Sequence, residues 1–215
     1  YEDAEKLWDA SKGQIKAKLE KQGLMLLYTV PWPSQGIYAK KELSSMKDMA
    51  GLKFRAYNSS TERLAQLAGM EPTQIEASDI STAFATGRVD AMITSPSTGA
   101  NSKAWDFLSH YHHTQAWLPK NTVVMNKKAF MKLDEAAQKA VLAAGAAAQK
   151  RGWAMSKKES AEKIAIMKEN GINIITPSDT LTSELKAVGK TMVDEWLSKA
   201  GDDGKAVFDT YTASK

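Results

Sequence analysis

Cysteine is absent from the 215 residues. That excludes disulfide staples, thiolate nucleophiles and cysteine-ligated zinc. Long apolar runs are missing too, and no stretch approaches the roughly 20 apolar residues of a membrane-spanning helix. No charged-then-apolar leader opens the chain. Instead Tyr1–Glu20 patterns as a helix with Leu7, Trp8, Ile15 and Leu19 at its apolar positions, so a mature piece or a fragment is expected. Charge of one sign is lacking as well. The 29 basic and 25 acidic residues are intermixed, as in KKELSSMKDMAGLK, and leave a net charge of only +4. A nucleic-acid binder would gather its basic groups into a patch.

Recognisable catalytic spacing is also missing. Ser95 and Ser97 stand in no Gly-x-Ser-x-Gly elbow, and no His/Asp arrangement can be assigned to them. His110, His112 and His113 have no Asp, Glu or Cys within their cluster, and strand alternation would split their rings between faces. Neither a metal site nor a cofactor is expected.

What is present alternates strands and helices, which argues an α/β fold. Gly23 closes the first helix, and Leu24–Val30 reads as a buried strand. Pro31-Trp32-Pro33-Ser34-Gln35-Gly36 must be a loop, because each proline lacks a donor and restricts its predecessor. Leu52–Tyr57 is a strand running into a Ser/Asn turn. Ser59 and Glu62 have capping-box spacing for a helix that stops at Gly69. Gln74–Glu76 reads as a strand. Ser78–Thr86 reads as a helix with Ser78 and Asp79 as cap candidates and Gly87 as its stop, and Val89–Thr94 as a further strand. Asn101–Leu108 is expected to be helical, His110–Trp117 extended and Thr122–Asn126 a strand. Leu133 to Gly171 is nearly all helix formers, with Gly145 and Gly152 as its weak points. Such a length suggests a helix serving two lobes. Ile172–Ile175 and Leu181–Ala200 complete the pattern.

Arg55 sits where strand ends and helix starts converge, the usual ligand position in an open α/β sheet. Its planar fork matches a carboxylate through two parallel hydrogen bonds. The plainer alternative is a surface arginine paired with Glu76. Trp32 and Trp117 each lie beside proline in loops, where a large ring either stacks on a ligand or packs on the lobe. Asn121 is a pocket donor or a turn residue. Trp105 reads as core.

GLKFR, FATGRVDAMITSPSTG and LDEAAQKAV together, in this order, resemble the solute-binding proteins of tripartite ATP-independent periplasmic (TRAP) transporters, the DctP family. The resemblance covers the whole chain and matches the C-terminal two-thirds of such proteins. It implies a two-lobe, periplasmic-binding-protein-like α/β fold of type II character, with hinge strands and a long bridging helix. The N-terminal part of lobe I, roughly one hundred residues, is expected to be missing. Residues 1–33 would belong to lobe I and 34–120 to lobe II. Residues 121–160 would return through lobe I and start the long helix, 161–188 would be lobe II, and 189–215 would be a C-terminal helix on lobe I. Arg55 takes the position of the family's carboxylate-binding arginine. Gln35 stands where sialic-acid-binding members carry a second arginine, and Ser95 or Thr94 stands near a ligand-binding asparagine. Val89-Asp90-Ala91 stands in place of the family's commoner Val-Asp-Gly and MITSPST in place of the Gln-Glu-Asn-Pro of the sialic-acid group, so that ligand is not expected.

The resemblance thus implies a bacterial periplasmic receptor, not an enzyme, secreted through a signal peptide not present in this chain. It would bind a small organic acid between its lobes and deliver it to TRAP membrane subunits. One arginine without a basic partner at position 35 favours a monocarboxylate, and the tryptophans favour an aromatic or apolar one. An incomplete lobe leaves association through its open edges as one expected outcome. The alternative is an enzyme acting on a carboxylate on a related scaffold.

Overall fold

The computed structural model describes residues 1–215 and divides into two compact units. The first comprises Tyr1–Trp32, Leu118–Lys158 and Lys199–Lys215; the second comprises Pro33–Trp117 and Glu159–Ser198. Residues 189–198 thus fall in the second unit.

In the first unit, helix α1 (Glu2–Lys21) carries Glu2, Asp3 and Glu5 in its first turn and Lys18 and Lys21 in its last. Both sets complement the helix dipole. Strand β1 (Leu24–Pro31) pairs antiparallel with β7 (Lys120–Asn126) in a two-stranded sheet, with an irregularity between Leu26 and Tyr28. The expectation of a buried strand is corrected here: only Thr29 and Pro31 of β1 are buried, because a single partner strand gives little cover. After the short helix α5 (Lys127–Met131), the long helix α6 (Glu135–Glu169) passes through both glycines unbroken. Neither is a weak point of the helix. A Cβ on Gly152 would lie 2.5 Å from Val30 Cγ2 and one on Gly145 3.1 Å from the Leu27 carbonyl oxygen. These glycines let α6 approach β1, and Trp153 Nε1 then reaches the Thr29 carbonyl at 3.2 Å.

The second unit holds a six-stranded mixed sheet in the order β4-β3-β5-β2-β6-β8. Its strands are β2 (Gly36–Ala39), β3 (Lys53–Ala56), β4 (Glu71–Gln74), β5 (Ala91–Thr94), β6 (His110–His112) and β8 (Asn173–Ile175). β3 lies parallel between β4 and β5, while β2 lies antiparallel between β5 and β6. Alternation along the strands makes two cores. Ile37, Phe54 and Ile93 pack on one face with Leu64 of α2 (Ser59–Leu67) and Leu181 and Val188 of α7 (Asp179–Ala213). Tyr38, Met92 and Tyr111 pack on the other with Phe84 of α3 (Ile80–Ala85), Ala100 of α4 (Pro96–Asn101) and Met167 of α6.

Several local expectations shift. The α2 cap lies one residue early, with Asn58 and Thr61 forming the reciprocal pair in place of Ser59 and Glu62. β4 precedes the expected Gln74–Glu76 and contains Pro72, which an edge strand tolerates. The expected helix at 78–86 begins as a 3₁₀ turn (Ala77–Asp79), and neither Ser78 nor Asp79 caps it through a side chain. The helix placed at 101–108 lies earlier, as α4; a left-handed Lys103 then leads into a 3₁₀ turn at Ala104–Asp106. The helical stretch that starts at Asp179 breaks at Gly201, whose backbone is not helical (φ 65°, ψ −168°), at the expected end after Ala200; a second stretch, counted with α7, runs on to Ala213. β2 was not anticipated: all four of its residues are buried, so it shows no polar alternation.

His112 is fully buried. Its Nε2 accepts the Leu43 N–H at 2.8 Å, which places the proton on Nδ1, 3.2 Å from the Ile37 carbonyl. Burial pushes its pKa below the ordinary 6.5, although the Ile37 bond opposes the shift. Burial depresses His113 likewise. Because the unfolded chain takes up these protons first, their contribution to stability is complete above pH 6.5. It is lost as pH falls from there through the depressed folded values. Thermal melts should therefore show a falling Tm between about pH 7 and pH 5. His112→Asn should flatten that slope, and an unchanged slope would contradict the assignment.

Candidate functional site

Arg55 stands one residue before the end of β3, and its residue is only 3 % exposed. Its Nε donates to the Ile75 carbonyl at 2.8 Å, and its Cζ lies 5.2 Å from the centre of the Tyr57 ring. No carboxylate forms an ion pair with it. Glu76, the expected surface partner, acts only through space, and burial lowers the guanidinium pKa against the opposing influence of Tyr57 and Glu76. An arginine stays charged under these conditions. The site therefore keeps a desolvated cation whose end is not answered by a protein anion.

Tyr57, which the sequence reading passed over, joins the candidates. Its hydroxyl donates to Gln35 Oε1 at 3.3 Å and accepts the Trp117 Nε1–H at 3.2 Å. Gln35 is 4 % exposed, and its Nε2 donates to the Pro33 carbonyl at 3.3 Å. The backbones of Gln35 and Trp117 are tied as well, Gln35 N to Trp117 O at 3.0 Å and Ala116 N to Gln35 O at 2.9 Å. Both ends of the Gln35 amide are thus engaged inside the protein, which suits a residue that positions Tyr57 rather than one that reaches outward. Burial raises the Tyr57 pKa, opposed by the Trp117 bond and the Arg55 charge. The signal that could have found Tyr57 is its spacing, two residues beyond Arg55 at the exit of the strand.

Thr94 and Ser95 separate clearly. Arg55 pairs with Met92 in the parallel register, and Thr94 follows two residues later on the same face of β5. Thr94 is 5 % exposed and its hydroxyl has no protein partner. Ser95 is fully buried, and its Oγ accepts the Thr98 N–H at 3.2 Å as the α4 cap. Trp32 and Asn121 belong to the other unit, where Trp32 Nε1 donates to Asn121 Oδ1 at 3.2 Å. Trp105 packs on the Tyr38–Met92 core. The histidines direct their ring nitrogens to neighbours: His110 Nδ1 lies 2.8 Å from Ser109 Oγ and His113 Nδ1 3.3 Å from the Tyr111 hydroxyl.

The model of the family "bacterial extracellular solute-binding protein, family 7" (DctP) matches residues 1–200. A solute-binding protein of Albidiferax ferrireducens is 22% identical over 170 residues, covering 77% of this chain and 50% of its own length. The chain thus spans about half of that curated relative. The crystal structure of DctP6, a Bordetella pertussis extracytoplasmic solute receptor binding pyroglutamic acid, superposes with a TM-score of 0.94 at 43% identity. It covers 99% of this chain and 71% of that one. A marine-metagenome TRAP solute-binding protein specific for pyroglutamate gives 0.91 at 40% identity, covering 99% of this chain and 70% of its own.

The Tyr57 hydroxyl can be tested without disturbing its ring. Tyr57→Phe leaves the Trp117 N–H and the Gln35 carbonyl short of one partner each. Urea unfolding should show a loss of about 1–2 kcal/mol. The Trp117 indole N–H resonance should move, and an unmoved resonance would refute the bond.

Proposed function

Since the chain belongs to the bacterial extracellular solute-binding proteins of family 7, we propose that it serves in an extracytoplasmic receptor for a small monocarboxylic acid. Pyroglutamate is the first candidate. The receptor would hand its acid to TRAP membrane subunits without altering it. The observation that carries this reading is the buried Arg55 guanidinium with no carboxylate partner. A ligand carboxylate placed on it forms charge-assisted bonds and restores the solvation that burial removed. Two solved relatives at 40% identity or above that span nearly all of this chain bind pyroglutamate, and both are TRAP-type receptors or described as extracytoplasmic solute receptors. No helix is long and apolar enough to cross a membrane. The second unit would act as lobe II.

In this reading Arg55 takes the carboxylate and the Tyr57 ring forms a wall under it. The free Thr94 hydroxyl takes a second polar atom, such as one of a lactam, and Trp117 closes the apolar side. Gln35 supplies no second cation. A dicarboxylate would therefore bring one charge that nothing answers, which disfavours it. The Trp117 and Trp32 N–H groups are already bonded within their own units, so either indole would offer a ligand its ring face and not a hydrogen bond.

Calorimetric titration of the receptor with pyroglutamate and with glutarate tests the reading. Arg55→Ala should weaken pyroglutamate binding by roughly 2–5 kcal/mol with little change in Tm, and Arg55→Lys should weaken it less but measurably. A folded Arg55→Ala protein binding within a few-fold of the parent would sink the proposal.

The adjacent hydroxyls give a paired test. Thr94→Val should weaken pyroglutamate binding about five- to tenfold, the loss of roughly one hydrogen bond, while leaving stability nearly unaltered. Ser95→Ala should cost about 1 kcal/mol of stability through the lost cap. Effects exchanged between the two variants would reverse the assignment.

A further inference from the structure

The second unit contains a cavity of about 490 Å³ that Arg55 does not line. It lies on the opposite face of the sheet from Arg55, the face that carries Ile37 and Ile93. Leu64 of α2 and Leu185 and Met192 of α7 complete its apolar walls. Gly189 of α7 also faces it, and a Cβ built there meets nothing within 4 Å. A mid-helix glycine is unfavourable by about 0.5–1 kcal/mol against alanine, so a position left without a side chain over open space calls for a reason. Gln115, also lining the cavity, has a left-handed backbone (φ 48°), a conformation that non-glycine residues adopt at some cost and that tends to mark ligand-holding segments. Lys186 is the one charged residue on the lining; it is exposed and has no ion-pair partner. Trp117 forms the partition, its ring on the cavity and its N–H on Tyr57.

We propose that this cavity is a second binding site, for a small amphiphilic anion whose apolar chain fills the space between the sheet and α7 and whose head group meets Lys186. The volume lies in the range of small-molecule sites and suits a medium-chain carboxylate. Apolar walls contribute desolvation, and a lone ammonium at the rim selects a single negative head group over a neutral or cationic one. The ligand class differs from that at Arg55, where the cation is buried and not at an exposed rim. The two sites share only the Trp117 partition.

Decanoate and decanol, kept below their aggregation limits, are suitable probes. Calorimetry and the Met192 methyl resonance should report saturable, one-to-one decanoate binding by the 215-residue chain. Gly189→Leu fills the space and should weaken decanoate about tenfold or more, whereas Arg55→Ala should leave it unaltered. Lys186→Glu, on the exposed helix surface, should weaken decanoate about fivefold and spare decanol; it also serves if Gly189→Leu fails to fold. A protein that takes decanoate but no pyroglutamate would support this site while refuting the reading of Arg55. No saturable decanoate binding at millimolar concentration overturns the assignment. So does binding that Arg55→Ala removes and Gly189→Leu spares, or an equal loss of decanol on Lys186→Glu.

Discussion

A positive charge held where water reaches it poorly, with no carboxylate to answer it, governs the arrangement around Arg55. Desolvating a cation is costly unless bonds replace its hydration. Here the replacement is partial: the Ile75 carbonyl takes Nε, and the face of Tyr57 takes some of the charge through its ring quadrupole. A protein carboxylate in contact would satisfy the guanidinium fully and close it to any ligand. Leaving Glu76 near enough to favour the charged form but too far to pair leaves the fork open for the ligand carboxylate proposed above.

That readiness needs a rigid floor. A tyrosine ring free to swing would let the guanidinium find other partners. The Tyr57 hydroxyl is fixed from two directions, by Gln35 and Trp117, and those two residues are tied to each other through backbone hydrogen bonds. Three side chains separated by 22 and 60 residues along the chain thereby act as one support. An amide at position 35, in place of any cation, has two consequences. It brings no second positive charge, and it supplies the acceptor that a lysine or arginine could not provide for the Tyr57 hydroxyl.

Much of this was legible in the residues. The alternation of strands and helices and the placement of Arg55 at a strand end follow from periodicity and turn chemistry, and the long run of helix formers in α6, interrupted only by Gly145 and Gly152, points to its length. The sequence is silent where side-chain pattern carries no direction. β2 is buried on both faces, so its four residues offer no alternation to detect. The caps of α2 and α3 were misplaced because several adjacent Ser, Thr, Asn and Asp residues offer equivalent oxygens, and only backbone geometry chooses among them. Tyr57 was missed for a related reason. An aromatic residue at a strand exit looks like core, and its polar end becomes informative only when its partners are known.

Thr94 and Ser95 show the same limit at the scale of a single pleat. Both are small hydroxyl residues at the end of β5, and their chemistry is nearly identical. The strand ends between them. Ser95 turns into the first position of the α4 cap, where its oxygen satisfies a helix N–H that would otherwise lack a partner. Thr94, still on the pleat, keeps the face it shares with Met92 and Arg55. One of two similar oxygens is consumed by the architecture and the other is left without a protein partner. Pro96, at the first helical position, sets where that division falls, because it favours the extended conformation of Ser95 and begins the helix immediately after it.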